Sequence, residues 1–162
     1  SFPDTKAVIH HDKCAGCGRC LGASNFDAIY NENSSAVKEL NMKMGEYSKA
    51  VVDGRANLHI NLVLDVSPYC DCHAENDAAI VPNVGMFASF DPVALDMACV
   101  DAVNAQPVLS NSQLDDCGEE ARASHHHDHF TSIFPDTNWK SAVEHGAKIG
   151  IGNLEYELIQ VK

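Results

Sequence analysis

Three cysteines within seven residues constrain the N-terminal part of the chain more than any other feature. The segment C-A-G-C-G-R-C contains Cys14, Cys17 and Cys20, with one thiol at every third position. Gly16 and Gly18 can adopt positive φ, so the backbone can turn tightly and bring its N–H groups close to a bound centre. This spacing is typical of thiolates that ligate one metal centre from a single loop.

The C-x2-C-x2-C spacing also begins the bacterial ferredoxin run C-x2-C-x2-C-x3-C-P, whose cysteines ligate iron–sulfur clusters. We therefore predict a [4Fe–4S] cluster on Cys14, Cys17 and Cys20. Where the run has Cys-Pro, this chain has Ser24-Asn25. Because that fourth cysteine serves the second cluster in two-cluster ferredoxins, we expect one cluster with a remote fourth ligand. Without a fourth ligand, the three cysteines would hold a [3Fe–4S] cluster or a labile [4Fe–4S] cluster.

Four further cysteines are candidates for the remote ligand. Cys99 lies on an apolar helical face, where a buried structural thiol is expected, and Cys117 lies in a polar stretch. Cys70 and Cys72 fall in a loop directly after an apolar strand, where ligands are commonly placed. We prefer Cys70 and keep Cys72 open. The C-x-C-H spacing with His73 also leaves a structural zinc or iron site as an alternative, although zinc knuckles are usually paired.

A second group of metal-ligating side chains occurs at 125–129, H-H-H-D-H. A solvated polar loop is the simplest interpretation, because short histidine tracts are weak indicators of a site. If the segment is helical, His125 and His129 lie at i and i+4 and face one metal ion. A hydrogen bond from His129 to a substrate or partner is the other functional interpretation.

Helical periodicity appears after residue 34. Five apolar residues recur at helical spacing up to about residue 51, and we expect them in the core: Val37, Leu40, Met44, Tyr47 and Val51. Asp91 and Pro92 form a good helix start, as N-cap and first helical residue, for a helix that ends near Asn104. A further helix is predicted over residues 139–149.

The apolar segments 58–66 and 84–90 predict buried strands, and 154–161 predicts an edge strand. Strands that alternate with helices favour the α/β class, with a mixed or parallel sheet. We predict a small ferredoxin-like cysteine module over residues 1–33. It is attached to an α/β domain over residues 34–162, which we expect to be the C-terminal part of a larger domain.

The charge of the chain limits its partners. It has 162 residues, of which 23 are acidic and 11 basic, giving a net charge of −12. Nucleic acid is excluded because its phosphates require a basic surface, whereas a redox partner with a basic docking face is compatible. Seven cysteines, clustered rather than dispersed, indicate metal binding in a reducing compartment, so we expect a cytoplasmic protein. No apolar run long enough for a membrane span is present, and the missing initiator Met leads us to expect more chain upstream.

Several segments together resemble the DUF362 family of iron–sulfur centre proteins. The segments are C-A-G-C-G-R-C at 14–20, I-N-L-V-L-D-V-S-P-Y-C-D-C at 60–72, I-V-P-N-V-G-M-F-A-S-F-D-P-V-A-L-D at 80–96, D-H-F at 128–130 and I-G-I-G-N-L-E-Y-E-L at 149–158. The resemblance implies a ferredoxin-like cysteine module and an α/β body that carries D-P-V-A-x-D. It implies that this chain corresponds to the C-terminal portion of longer members, many of which have two cysteine runs. The match around Cys70 and Cys72 supports a metal or cluster role for that pair.

Three functions follow as hypotheses. The first is electron transfer by one cluster. The second is an oxidoreductase whose cluster feeds a catalytic centre in the α/β body, with Asp91, Asp96 and His129 as the residues to suspect. The third is a structural zinc or iron module. No G-x-G-x-x-G or P-loop segment is present, so a nucleotide site is not predicted.

Overall fold

The computed structural model describes residues 9–10, 12–14, 36–70, 76–119 and 128–161. The chain divides into two compact units, Ser1–Ser34 and Ser35–Lys162. Within the described part of the first unit, the backbone N–H of Lys13 donates to the carbonyl oxygen of His10 at 3.0 Å. The predicted ferredoxin-like module lies almost entirely outside the described residues.

Helix α1, Ala36–Val52, contacts helix α5, Lys140–Lys148, through a face that the sequence did not indicate. The side-chain amide of Asn41 donates to the carbonyl of Asn138 at 2.7 Å and to Ser141 Oγ at 3.2 Å. The five-residue apolar stripe predicted for the core is instead 40–76% exposed. That prediction was wrong, because periodicity identifies an apolar face but does not show what covers it.

In the described part of the chain, the sheet consists of two antiparallel strands, β1 (His59–Val63) and β2 (Gly85–Ser89). Their register pairs His59 with Ser89 and Val63 with Gly85. The chain is therefore broadly α/β, but the predicted mixed or parallel sheet is not what the described residues form. Parallel neighbours need a long crossover, usually a helix, and the described residues between β1 and β2 contain none.

The two faces of the sheet differ in burial, which corrects the prediction of fully buried strands. On β1, Val63 is 7% exposed, whereas Ile60 and Leu62 are 56% and 64% exposed. On β2, Met86 opposes Leu62 and is 69% exposed. The inner face of the sheet contacts helix α2, Pro92–Asn104. We call the opposite side the outer sheet face; its exposed apolar residues are Leu58, Ile60, Leu62, Leu64, Met86 and Phe90.

Helix α2 confirms the predicted start and end. Asp91 is its N-cap, Pro92 its first residue, and Asn104 its last. The buried residues of the helix include Val93 and Val103. The hydrophobic core behind the inner sheet face consists of Val63, Ile80, Val81, Val103 and Leu114.

Among the described residues before α5, Gln113–Asp116 form the short helix α3 and His129–Ile133 form the short helix α4. Helix α5 confirms the helix predicted near residues 139–149. The predicted edge strand over 154–161 is wrong, since these residues form no strand. Instead the hydroxyl of Tyr156 donates to Asp101 Oδ2 at 2.7 Å, which fastens the segment to α2 and raises the pKa of Tyr156 to about 12. Among the described residues, no helix is both long and apolar enough to cross a membrane.

Candidate metal centre

Of the three clustered cysteines, the structure describes Cys14 alone. It is exposed and directly follows the turn between His10 and Lys13. Cys17 and Cys20 lie outside the described residues. The donor set suits an iron–sulfur cluster, because thiolates are its usual ligands and three occur within one short loop.

Cys70 lies at the exposed end of a connection that leaves strand β1 and returns to the core. The connection is held together across its base, where Ile80 N donates to the carbonyl of Val66 at 2.8 Å. Nearer the strands, Asp65 N donates to Asn83 Oδ1 at 2.6 Å. The loop prediction for this region is thus confirmed where it is described, while Cys72 and His73 lie outside the described residues.

The residue before Cys70 is fixed by two different contacts. The ring of Tyr69 meets Phe134 edge-on, with centroids 5.4 Å apart and planes inclined at 63°. The backbone of Tyr69 is bound by the side chain of Asn76, which accepts from Tyr69 N at 3.3 Å and donates to the Tyr69 carbonyl at 3.1 Å. The same amide donates to Ser67 Oγ at 2.9 Å. The sequence analysis did not identify Asn76; an Asn shortly after a cysteine loop is its only signal.

The other two cysteines have local structural contacts. Cys99 is half-buried on α2 and lies 3.5 Å from the side-chain amide of Asn61. Burial raises the pKa of the Cys99 thiol, which favours the protonated form over the thiolate that a metal needs. The thiol of Cys117 donates to the carbonyl of Gln113 at 3.3 Å. The partial burial and the raised pKa of Cys99 agree with the structural role expected for that residue.

The sequence analysis named Asp91 and Asp96 as candidate catalytic residues, and the two side chains make different contacts at helix α2. Asp91 Oδ1 accepts from Ala94 N at 2.9 Å and caps the helix, as its position before Pro92 predicts. Asp96 Oδ1 accepts from Asn61 Nδ2 at 3.2 Å, so Asn61 links Asp96 and Cys99. Burial raises the pKa of Asp96, and the Asn61 bond and the charge of His59 partly oppose that effect. The Asp96 side chain is exposed to solvent in part.

His129 is buried, with 6% of its surface exposed. Its backbone N–H donates to Asn104 Oδ1 at 2.9 Å, and its Nε2 lies 3.1 Å from the carbonyl oxygen of Gln106. A carbonyl only accepts, so Nε2 carries the proton. Nδ1 is buried without a described partner. His125 lies outside the described residues, and the metal role of His125 and His129 stays a prediction.

Asp128, next to His129, organises the start of α4. Its side chain accepts from Phe130 N at 3.1 Å and from Trp139 Nε1 at 3.0 Å. Within the described parts of the chain, no three His, Cys, Asp or Glu side chains are grouped so as to hold a metal ion. The hydrogen bonds of His129 to Asn104 and of Asp128 to Trp139 connect the start of α4 to the end of α2 and to the residue before α5.

Comparison with protein families identifies the family of the chain. A family model described as DUF362, a domain of unknown function, matches residues 2–101. Neither the curated proteins nor the solved structures include a match to the chain. The matched stretch covers more than half of the 162 residues and contains all five cysteines singled out as ligands. The chain therefore belongs to the DUF362 family.

Proposed function

We propose that the chain is an iron–sulfur redox domain that carries one [4Fe–4S] cluster and transfers single electrons. The spacing of Cys14, Cys17 and Cys20 carries the proposal, because one tight loop must supply most ligands of a cubane cluster. In this proposal the fourth thiolate comes from Cys70, with Cys72 as the alternative. The anchored backbone before Cys70 supports that choice, since a ligand on a fixed residue loses little entropy on binding.

The charge of the chain supports a partner of complementary charge. A net charge of −12 attracts a redox protein with a basic docking face and accelerates their encounter. We place this exchange in the cytoplasm, where thiols stay reduced and available to iron. Electron transfer that slows steeply with added salt would support an electrostatic encounter, because salt screens exposed charges.

A catalytic role for the α/β unit is the second candidate function. The observation that favours it is the group of Asn61, Asp96 and Cys99, in which burial raises the pKa of Asp96. A carboxyl with a raised pKa can carry a proton during a redox reaction. Asp91 and His129, the other suspected residues, are engaged in capping and backbone contacts. An organic redox cofactor that co-purifies with the chain would favour this candidate over a simple electron carrier.

Metal and sulfide analysis of anaerobically purified protein tests the proposal. We expect about four iron and four sulfide per chain, the composition of a cubane cluster, together with visible absorption that bleaches on reduction. Zinc without sulfide would contradict the proposal and indicate the structural module instead. Protein that retains neither metal nor sulfide after reconstitution would also contradict it.

Serine variants separate ligands from other cysteines. Cys14→Ser and Cys17→Ser should abolish cluster assembly, because each removes one of three clustered thiolates. Cys70→Ser should leave a three-iron cluster, if Cys70 is the fourth ligand. Cys117→Ser is the matched control, since that thiol donates to the Gln113 carbonyl within its own helix region. A Cys117→Ser variant that loses the cluster would contradict the proposed ligand set.

A further inference from the structure

We propose that helix α1 is a dimerisation element, whose exposed apolar stripe pairs with the same stripe on a second copy of the chain. We call this stripe the α1 seam, and its side chains are 40–76% exposed. The inference concerns a surface of the second unit alone and is independent of the proposed iron–sulfur function. The seam consists of Val37, Leu40, Met44, Tyr47 and Val51.

The spacing within the α1 seam indicates what kind of element covers it. Its five residues follow one another at intervals of three, four, three and four positions, which is the a/d pattern of a heptad repeat. This pattern keeps the apolar side chains on one narrow line along the helix, whereas a helix that packs on a globular core shows a wider apolar face. A second α-helix is the element whose side chains interdigitate with such a line.

Helix α1 uses different residues to contact its own neighbour, α5. The side-chain amide of Asn41 donates to the carbonyl of Asn138 at 2.7 Å and to Ser141 Oγ at 3.2 Å. A Cβ added at Gly45 would lie 3.6 Å from the Ala142 carbonyl oxygen, so the two helices approach closely there. A surface helix of a monomeric protein usually turns its apolar residues inward and its polar residues outward. The reverse arrangement in α1 is the one expected of a helix with a second apolar neighbour on its outer side.

The charges on α1 favour a second copy of the chain over a strongly charged partner. The helix carries three lysines and two glutamates, whereas the whole chain has a net charge of −12. Lys43 Nζ lies 2.6 Å from Glu46 Oε2, and Lys49 Nζ lies 3.2 Å from Asp53 Oδ2. Because the flanks of the seam are nearly neutral, two copies meet at α1 with less repulsion than the acidity of the chain would otherwise impose. An anionic membrane, by contrast, repels a chain of this net charge.

Self-pairing about a two-fold axis places each α1 seam against the same seam of the other copy. Met44, at the centre of the seam, has a flexible side chain that fills irregular gaps in such a contact. Two isolated helices of this length would be marginally stable, but α1 is already held against α5, so its backbone is ordered before association. A contact restricted to one helix is smaller than a standard interface, and we therefore expect a dissociation constant in the micromolar range.

The test measures sedimentation equilibrium of the full chain under reducing conditions and at moderate ionic strength, over a wide range of concentration. Leu40→Gln and Met44→Gln remove apolar side chains from the seam and introduce a good helix former. Leu62→Gln and Met86→Gln are the matched controls on the outer sheet face. Leu62 is 64% exposed against 61% for Leu40. Met86 is 69% exposed against 58% for Met44.

Wild type should shift from monomer to dimer as the concentration rises. Each seam variant should raise the dissociation constant at least about tenfold, because it removes apolar contacts from the centre of the interface. The two controls should associate as wild type does. Added salt should not dissociate the dimer, since salt screens the like charge of the two copies. Hydrogen exchange of the α1 amides should slow with concentration in wild type alone and in the controls, but not in the seam variants.

The fold of the seam variants is checked in dilute, monomeric protein. Their circular dichroism and melting temperature should match those of wild type, because substitutions of exposed residues change stability little. A seam variant that keeps this fold and loses association supports the inference.

Wild type that stays monomeric at every concentration overturns the inference. Association that is unaffected by Leu40→Gln and Met44→Gln also overturns it, as does association that Leu62→Gln and Met86→Gln weaken equally. Vesicles of phosphatidylcholine and phosphatidylserine provide the remaining comparison. If monomeric wild type binds them and Leu40→Gln does not, the seam is a membrane-binding surface and the inference is wrong.

Discussion

Asp91 Oδ2 accepts two hydrogen bonds from Asn153, one from its backbone N–H at 2.8 Å and one from its side-chain amide at 3.0 Å. The other carboxylate oxygen, Oδ1, caps helix α2 through Ala94 N. One side chain thus joins the start of α2 to the segment that follows α5, which lies 62 residues further along the chain. The D-P segment at 91–92 and the G-N segment at 152–153 are therefore in direct contact.

Replacing Asp91 should cost more stability than replacing Asn153. Asp91→Ala removes the cap and both bonds to Asn153, and we expect a loss of about 2 kcal/mol in the free energy of unfolding. Asn153→Ala leaves its own backbone N–H bonded to Asp91 and should cost about 0.5–1 kcal/mol. Urea unfolding measures both. Equal losses, or additive losses in the double variant, would contradict a shared carboxylate.

Gly152 should not tolerate a side chain. A Cβ at this position would lie 1.9 Å from Asp91 Oδ1, so Gly152→Ala must displace the capping carboxylate. Gly45 is the matched control in α1, where a Cβ would lie 3.6 Å from the Ala142 carbonyl, an ordinary contact. Gly45→Ala should raise stability by about 0.5–1 kcal/mol, since alanine is the better helix former. Thermal melts that show both variants unchanged would be inconsistent with these contacts.

The carboxyl of Asp96 should make stability depend on pH. Because burial raises the pKa of Asp96, the folded state binds this proton more tightly than the unfolded state. The contribution of Asp96 is therefore fully present below the ordinary aspartate pKa of about 3.9 and is lost as the pH rises through the raised, folded value. Asp96→Asn should gain melting temperature relative to wild type between acid and neutral pH. Asn61→Ala should steepen the wild-type dependence, because the Asn61 bond lowers this pKa.

Truncating two neighbouring residues of β1 should change the free energy of unfolding by very different amounts. Val63 is 7% exposed and contacts the core, so Val63→Ala should cost about 2 kcal/mol. Leu62 is 64% exposed, and Leu62→Ala should change the free energy of unfolding by less than about 0.5 kcal/mol. Chemical denaturation of both variants measures the difference. The reverse order would indicate a register shifted by one residue, which exchanges the two faces of a strand.

Features set by local chemistry could be predicted from the sequence. Asp91 and Pro92 specify the start of α2 because an N-cap and a first-turn proline act on the adjacent backbone alone. The connection around Cys70 was likewise predicted from turn residues that follow an apolar strand. Neither prediction depends on distant parts of the chain.

Features set by tertiary contacts could not be predicted. The stripe that includes Leu40 and Met44 has core periodicity, but α1 contacts α5 through Asn41 instead. The apolar run over residues 58–66 does not show whether its neighbour is parallel or whether both faces are covered. The sequence suggested that His129 lies in a solvated loop or binds a metal ion or a partner. The residue is instead buried, and its hydrogen-bond partners Asn104 and Gln106 lie 25 and 23 residues away in the chain. The bond between Asn76 and Tyr69 spans seven residues, within no standard motif that a pattern would reveal.

The outer sheet face affects how the protein behaves in solution. Its six apolar side chains are 44–79% exposed and carry no charge, while the chain as a whole bears a net charge of −12. Like charge keeps molecules apart at low ionic strength, whereas salt at 0.1 M screens that repulsion at separations beyond about 10 Å. The protein should therefore stay monodisperse when it is purified in dilute buffer, whereas added salt should promote aggregation. Ile60→Glu or Leu62→Glu should restore solubility without disturbing the core, because either replaces an exposed apolar side chain and adds to the net negative charge.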